Sequence, residues 1–252
     1  MNLAATRNSD LGVRVLSAIV MVALAGTAIW LAGWYWFAFV FVVAVGVLYE
    51  WQLLVSKFAK NSVGKFLWLI VGIFYVGLAA LLLIHVGSFP RTIFSDSEPV
   101  RDYSAIIGIV GAVVATDVGA YFFGRSIGGP KIAPSISPSK TWVGLLGGMI
   151  AATLAVRFLA VGDNLSGDEK WMLSVVLGCP IAIVAQIGDF LESWMKRRAG
   201  VKDSGNMLPG HGGLFDRVDG LLAVSFVLGV MDSGGIYFAI RYGQFFERMA
   251  LA

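Results

Sequence analysis

The stretch from Lys202 to Gly220, KDSGNMLPGHGGLFDRVDG, gathers Lys202, Asp203, His211, Asp216, Arg217 and Asp219 in one glycine-rich run. Asp216 and Asp219 stand three residues apart, just ahead of an apolar segment. A helix N-cap followed by a first-turn acid would explain one of them, because both complement the helix dipole. It does not explain Arg217 and His211 beside them. Nor does it explain the segment before, AQIGDFLESWMKRR, where Gln186, Asp189, Ser193 and Lys196 follow spacings of three, four and three. A helix puts those four on one stripe, with Glu192 alongside. Lys196, Arg197 and Arg198 suit a helix end whose long side chains reach water, but Asp189 is too short for that. If the two segments pack antiparallel, Asp189, Asp216 and Asp219 converge, and clustered carboxylates repel unless a cation joins them. A few oxygen donors suit magnesium shared with a substrate phosphate. His211 and the distant Cys179 do not make a zinc site.

A third polar region is TDVGAYFFGRSIGGPKIAPSISPSKTWVG. Asp117, Tyr121 and Arg125 lie at i, i+4 and i+8, on one helical face. Asp117 fits an internal ion pair or hydrogen bond as well as it fits chemistry. The Gly-, Pro- and Ser-rich loop after it carries Lys131 and Lys140, and reads equally as an ordinary turn or as a cradle of N–H groups and cations for phosphates. It does not have the GxxxxGK[ST] pattern of a P-loop. Acids, magnesium and several Lys/Arg side chains together are the equipment of phosphoryl or nucleotidyl transfer, where catalysis is mostly positioning and charge neutralisation.

The elements that must hold these groups are membrane helices. The chain has 252 residues, 58% hydrophobic and 14% charged, with a mean hydropathy of +0.79. Soluble domains carry about 25% charged residues. A membrane helix needs about 20 mostly apolar residues, and spans are expected near 13–33, 36–55, 66–88, 104–124, 141–161, 171–192 and 220–241. The expected fold is therefore an all-α polytopic membrane protein of about seven helices. Arg7, Arg14 and the Ala23-Leu24-Ala25 triplet resemble a signal peptide, but the apolar run continues through Trp30, Leu31 and Ala32, so an uncleaved first helix is expected. The loops with Lys57, Lys60 and Lys65, with Arg125, Lys131 and Lys140, and with Lys196 to Arg217 are basic, and the positive-inside rule places them in the cytosol. The active site would face the cytosol, and an odd span count would leave the C-terminus outside. A net charge of +3 gives no indication of nucleic acid, and one cysteine permits no disulfide within the chain. Gly144 and Gly148 read as a small-residue packing pair, and Glu50 as an interface anchor or local ion pair.

The ordered signature Ser193-Trp194-Met195-Lys196-Arg197, Lys202-Asp203, Pro209-Gly210-His211-Gly212-Gly213 and Asp216-Arg217-Val218-Asp219 resembles that of phosphatidate cytidylyltransferases, also called CDP-diacylglycerol synthases. Upstream, Asp117 with Gly119-Ala120-Tyr121-Phe122 and Gly124-Arg125 is similar to the family's DTGAYFxGR segment. Ser137-Pro138-Ser139-Lys140-Thr141-Trp142-Val143-Gly144 is similar to its SPKKTWEG segment, and Gly188-Asp189 with Glu192-Ser193 to its GDLxES helix. The likeness concentrates in 105–220, with Tyr49-Glu50-Trp51 a minor echo. It divides the chain into N-terminal membrane helices, 1–104, and a catalytic membrane domain, 105–252. Val118, Ser139, Val143, Phe190, Phe215 and Gly220 depart from the family's usual residues.

The resemblance implies that CTP and phosphatidic acid give CDP-diacylglycerol and pyrophosphate, with magnesium and a second, monovalent cation such as potassium. Asp189 and Asp216 would hold the cation pair, with Asp219 close by. Lys196, Lys202 and Arg217 would offset charge on the triphosphate. Ser193, Arg197 and His211 would bind substrate, as would Asp117, Tyr121, Arg125 and Lys140. Glycines 210, 212 and 213 would let backbone approach the nucleotide. A homodimer in a bacterial inner membrane is the implied setting.

Three rival readings have observable consequences. Gly124-Arg125-Ser126-Ile127-Gly128 fits G-x-S-x-G, but a serine hydrolase needs a strand before that turn. Ionisable residues within spans can line a transport path, although no repeat is visible and the polar groups gather on one side. Another magnesium-dependent enzyme of phospholipid headgroups would share the acids but not the ordered signature.

Overall fold

The computed structural model describes residues 3–88, 91–94, 99–161, 166–210 and 212–233. Seven helices run in order: α1 (Leu3–Leu31), α2 (Gly33–Phe58), α3 (Ser62–Ser88), α4 (Ser104–Ser126), α5 (Trp142–Leu159), α6 (Gly167–Ala199) and α7 (Phe215–Ser233). Six of them, α1 to α6, are long and apolar enough to cross a membrane. In lipid only structures that satisfy their own backbone can span, and a helix does so within one segment. The chain is an all-α polytopic membrane protein, as its composition implies.

The elements differ from expectation at their ends. α6 is longer than the expected 171–192, because Ser166 and Glu169 form a reciprocal capping box at its start and Gly200, at φ 67°, ends it in the left-handed conformation. Its 33 residues make a rod of about 50 Å, longer than the roughly 30 Å hydrocarbon layer. The turns that carry Lys196, Arg197 and Arg198 therefore emerge from the apolar zone. α7 starts five residues before the expected 220, and the far end of the expected span to 241 lies outside the described residues.

Two hairpins had no periodic signal in the sequence. Strands β1 (Arg91–Phe94) and β2 (Pro99–Asp102) pair after α3. Strands β3 (Lys131–Ala133) and β4 (Ser137–Thr141) pair Lys131 with Thr141 and Ala133 with Ser137. The Gly/Pro/Ser-rich loop after α4 is thus ordered, and it delivers Lys140 directly ahead of α5. Thr141 caps α5, its Oγ1 accepting the Gly144 N–H at 3.0 Å.

Small residues set the packing of α4 on α5. A Cβ at Gly144 would stand 2.9 Å from the Ala120 carbonyl oxygen, and one at Gly148 3.1 Å from that of Thr116. The small-residue pair is a helix contact, as expected. A separate apolar core joins α2, α3, α6 and α7 around Trp51, Val76, Met195 and Phe215. Trp51 anchors it, donating its indole N–H to the Trp68 carbonyl at 3.0 Å while its ring meets those of Tyr75 and Phe215.

Candidate active site

Four helices and β4 meet at one polar cluster. Asp189 of α6 forms an ion pair with Lys140 of β4. Asp219 of α7 lies within electrostatic reach of Asp189, of Asp117 on α4 and of Lys140. Asp117 in turn feels Asp189 and Lys140, and Tyr75 of α3 feels Asp219 and Asp189. Three carboxylates thus share one ammonium. Acids in such excess over base are costly where water is scarce, which makes these residues candidates for function.

The cluster exists because α6 and α7 approach closely. A Cβ at Gly188 would lie 2.5 Å from the Asp219 carbonyl oxygen and 2.7 Å from the Ala223 Cβ. Only a glycine lets α6 and α7 come this close beside Asp189 and Asp219. Gly188→Ala is expected to push the helices apart, costing about 1–3 kcal/mol as overpacking does, and to lower activity more than stability. Turnover measured below the unfolding midpoint checks this; unchanged turnover would show that the spacing is not critical.

Asp216 belongs to a second network. Its Oδ1 accepts from Lys196 Nζ at 2.7 Å, and its Oδ2 accepts the Ser204 and Gly213 backbone N–H groups, each at 2.9 Å. Lys196 also pairs with buried Glu192 at 2.7 Å. Asp216 stands ahead of the apolar part of α7. Burial would raise its carboxyl, but hydrogen bonding with the Glu192 and Lys196 side chains and from the Ser204 N–H outweighs burial and holds it well below the usual carboxylate range. Asp216 and Lys196 therefore fasten α7 to α6 and to the 201–213 loop, about one turn from Asp219.

Glu50 underlies that network and takes a part that its sequence context did not indicate. It is not an interface anchor, and among the described residues it forms no ion pair. Its side chain is fully buried, 0% exposed, and accepts from Ser204 Oγ at 2.8 Å, Leu214 N–H at 3.0 Å and Phe215 N–H at 2.8 Å. The last two are donors at the start of α7, so a carboxylate from α2 caps a helix more than 160 residues away. A Cβ at Gly213 would stand 2.7 Å from Glu50 Oε2, which is why the loop needs glycine there. Tyr75 was likewise not singled out, because one tyrosine in an apolar span reads as packing.

The remaining sequence candidates are dispersed. Arg197 Nε donates to the Ile136 carbonyl at 3.3 Å, tying α6 to the β3–β4 hairpin. Arg125 donates to Tyr121 Oη at 2.9 Å on an exposed face of α4, beyond Asp117. Lys202 and Arg217 are exposed, Ser193 is half-buried on the α6 stripe, and His211 lies outside the described residues. Ser126 ends a helix instead of following a strand, so no nucleophile elbow forms.

Among the described residues no three acidic, histidine or cysteine side chains stand close enough to hold one ion by themselves. The acid excess around Asp189 and Asp219 nonetheless fits magnesium. That ion is commonly held by one or two carboxylates, with waters and substrate phosphate oxygens completing its shell.

A model of the cytidylyltransferase family matches residues 62–232, about two thirds of the chain. The chain belongs to the cytidylyltransferase family. The match spans α3 to α7 and so takes in Asp117, Lys140, Asp189 and Asp219 together. Relatives named phosphatidate cytidylyltransferase include proteins of Haemophilus influenzae, 32% identical over 83% of this chain and 94% of theirs, and of Rickettsia bellii, 30% identical over 88% and 90%. The Brucella suis protein of that name is 44% identical over 64% of this chain, but the matched region spans only 55% of its own length. None of these cytidylyltransferase matches favours a transporter.

Proposed function

We propose that the protein is a membrane-embedded nucleotidyltransferase that converts CTP and phosphatidic acid to CDP-diacylglycerol and pyrophosphate in phospholipid biosynthesis. The observation that carries this reading is the meeting of Asp189, Asp219, Asp117 and Lys140 at the contact of α6 with α7, in a chain whose relatives carry that enzyme's name. The lipid phosphate is already an anionic nucleophile. Its oxygen attacks the α-phosphorus of CTP, the bond to the β-phosphate oxygen breaks, and pyrophosphate leaves. No strong general base is needed, so the residues' task is to align two polyanions and offset their charge.

Lys140, presented by the ordered hairpin and held by Asp189, supplies a fixed positive charge at the reaction centre. Lys202 and Arg217 add exposed cations for the entering triphosphate, and Arg125 and Arg197 flank the approach. Ser193 and His211 belong to the same proposal as hydrogen-bond partners of phosphate. Lys196 and Asp216 act as positioning residues, keeping Asp219 opposite Asp189. Magnesium held by Asp189 and Asp219 would neutralise phosphate charge, and a monovalent cation such as potassium would assist. The basic loops on the side of the site support a site facing the cytosol in a bacterial inner membrane, and the protein would work as a homodimer.

The test uses purified protein in detergent with phosphatidic acid and CTP labelled at the α-phosphate. Label is expected in the organic phase with magnesium and not after EDTA. A folded, magnesium-supplied preparation that transfers none would overturn the reading.

A further inference from the structure

A cavity of about 510 Å³ opens between α2 and the loop 201–207. Its size falls in the range of small-ligand sites. One wall is a single face of α2: Tyr49, Leu53 and Lys57, at i, i+4 and i+8. The three span about 12 Å along the helix and run from aromatic through aliphatic to cationic. Tyr49 is 58% and Leu53 38% exposed, so this face is not covered by the bundle. The other wall carries Lys202, Asn206 and Met207. Two carboxylates also border the space. That of Glu50 is engaged by three donors, and Asp203 packs toward Gly212.

We propose that this cavity receives the phosphate-bearing lipid, its chain along Tyr49, Leu53 and Met207 and its phosphate at Lys57, with Lys202 standing between this phosphate and the triphosphate to which it was assigned above. The assignment rests on the lipid-nucleotide transfer proposed above. A wall graded from apolar to cationic matches a molecule with an alkyl chain at one end and a phosphate monoester at the other. A nucleotide shares the phosphate, and its base can stack on an aromatic ring such as Tyr49, but it has no alkyl chain to lie along Leu53 and Met207. Ser204 links the cavity to the site, since it borders the space and its backbone N–H holds Asp216. Tyr49, Leu53 and Lys57 all precede the residues that the family model matches.

Two readouts test this on the full chain. In mixed micelles, Lys57→Gln is expected to raise the KM for phosphatidic acid, as a surface concentration, about fivefold, the effect of one lysine on an anionic lipid at a membrane surface. The KM for CTP should not change. Leu53→Trp, which narrows the groove, should act in the same direction, and Lys60→Gln, outside the lining, should change neither constant. By native mass spectrometry the wild type should retain phosphatidic acid over phosphatidylcholine, and Lys57→Gln should lose that preference. A rise in the KM for CTP alone would assign the cavity to the nucleotide and overturn the proposal. So would no change in either constant, which would leave Lys57 a solvated lysine. Selective retention by a wild type that transfers no nucleotide would uphold the lipid groove while refuting the transferase reading.

Discussion

Asp189→Asn is expected to reduce cytidylyl transfer by about 10²–10³-fold, the usual effect of removing one preorganised charge-stabilising group. The substitution keeps the side chain's volume, removes its charge and replaces one acceptor oxygen with an NH2 donor. Asp189 does two things in the structure: it fixes Lys140, and it acts electrostatically on Asp219 at the α6–α7 contact. A double-mutant cycle separates them. If Asp189 served only to hold Lys140, then Asp189→Asn would cost nothing further in a Lys140→Gln background. If it also holds a cation, the second substitution should cost at least a further tenfold and raise the magnesium concentration needed for half-maximal rate. Near-wild-type turnover in a folded Asp189→Asn protein would remove Asp189 from the site.

Much of this cluster was legible in the sequence because its members announce themselves by cost. An aspartate in an apolar helix is rare without a purpose, and the spacing of Gln186, Asp189, Ser193 and Lys196 already defined a stripe. Antiparallel packing of the next helix then brought Asp219 to Asp189. The sequence did not divide the acids between two networks. Asp216 and Asp219 are equivalent in spacing and type, and only the coordinates show Asp216 satisfied by Lys196 and two backbone N–H groups. The ordered hairpin before α5 was hidden for a different reason. Two strands of three and five residues, KIA and SPSKT, are too short and too polar to carry an alternation to detect. Glu50 was misjudged because a carboxylate near a helix end normally reaches water, and its partners, the Ser204 hydroxyl and the Leu214 and Phe215 N–H groups, lie far along the chain.

Glu50→Ala should be the most destabilising single change among the residues discussed. Removing the carboxylate strands the Leu214 and Phe215 N–H groups and loosens Ser204, all in a dry region beside Trp51 and Phe215. Each buried donor left without a partner costs about 1–3 kcal/mol, so a loss of about 3–5 kcal/mol is expected, visible as a lowered unfolding midpoint in detergent. Glu50→Gln makes the sharper experiment. It retains one carbonyl oxygen and nearly the same volume, but its amide nitrogen replaces the acceptor of either Leu214 N–H or Phe215 N–H and sets donor against donor there. A cap that needs only bulk would tolerate Gln. A cap that needs two acceptor oxygens would not, and about half the Ala penalty should remain. Activity below both midpoints then tells whether the start of α7 matters to chemistry, because Asp219 sits one turn beyond the cap. A fall in turnover with Glu50→Gln would show that α2, outside the family-matched region, sets the position of an acid in the reaction centre. Unchanged turnover would confine Glu50 to stability.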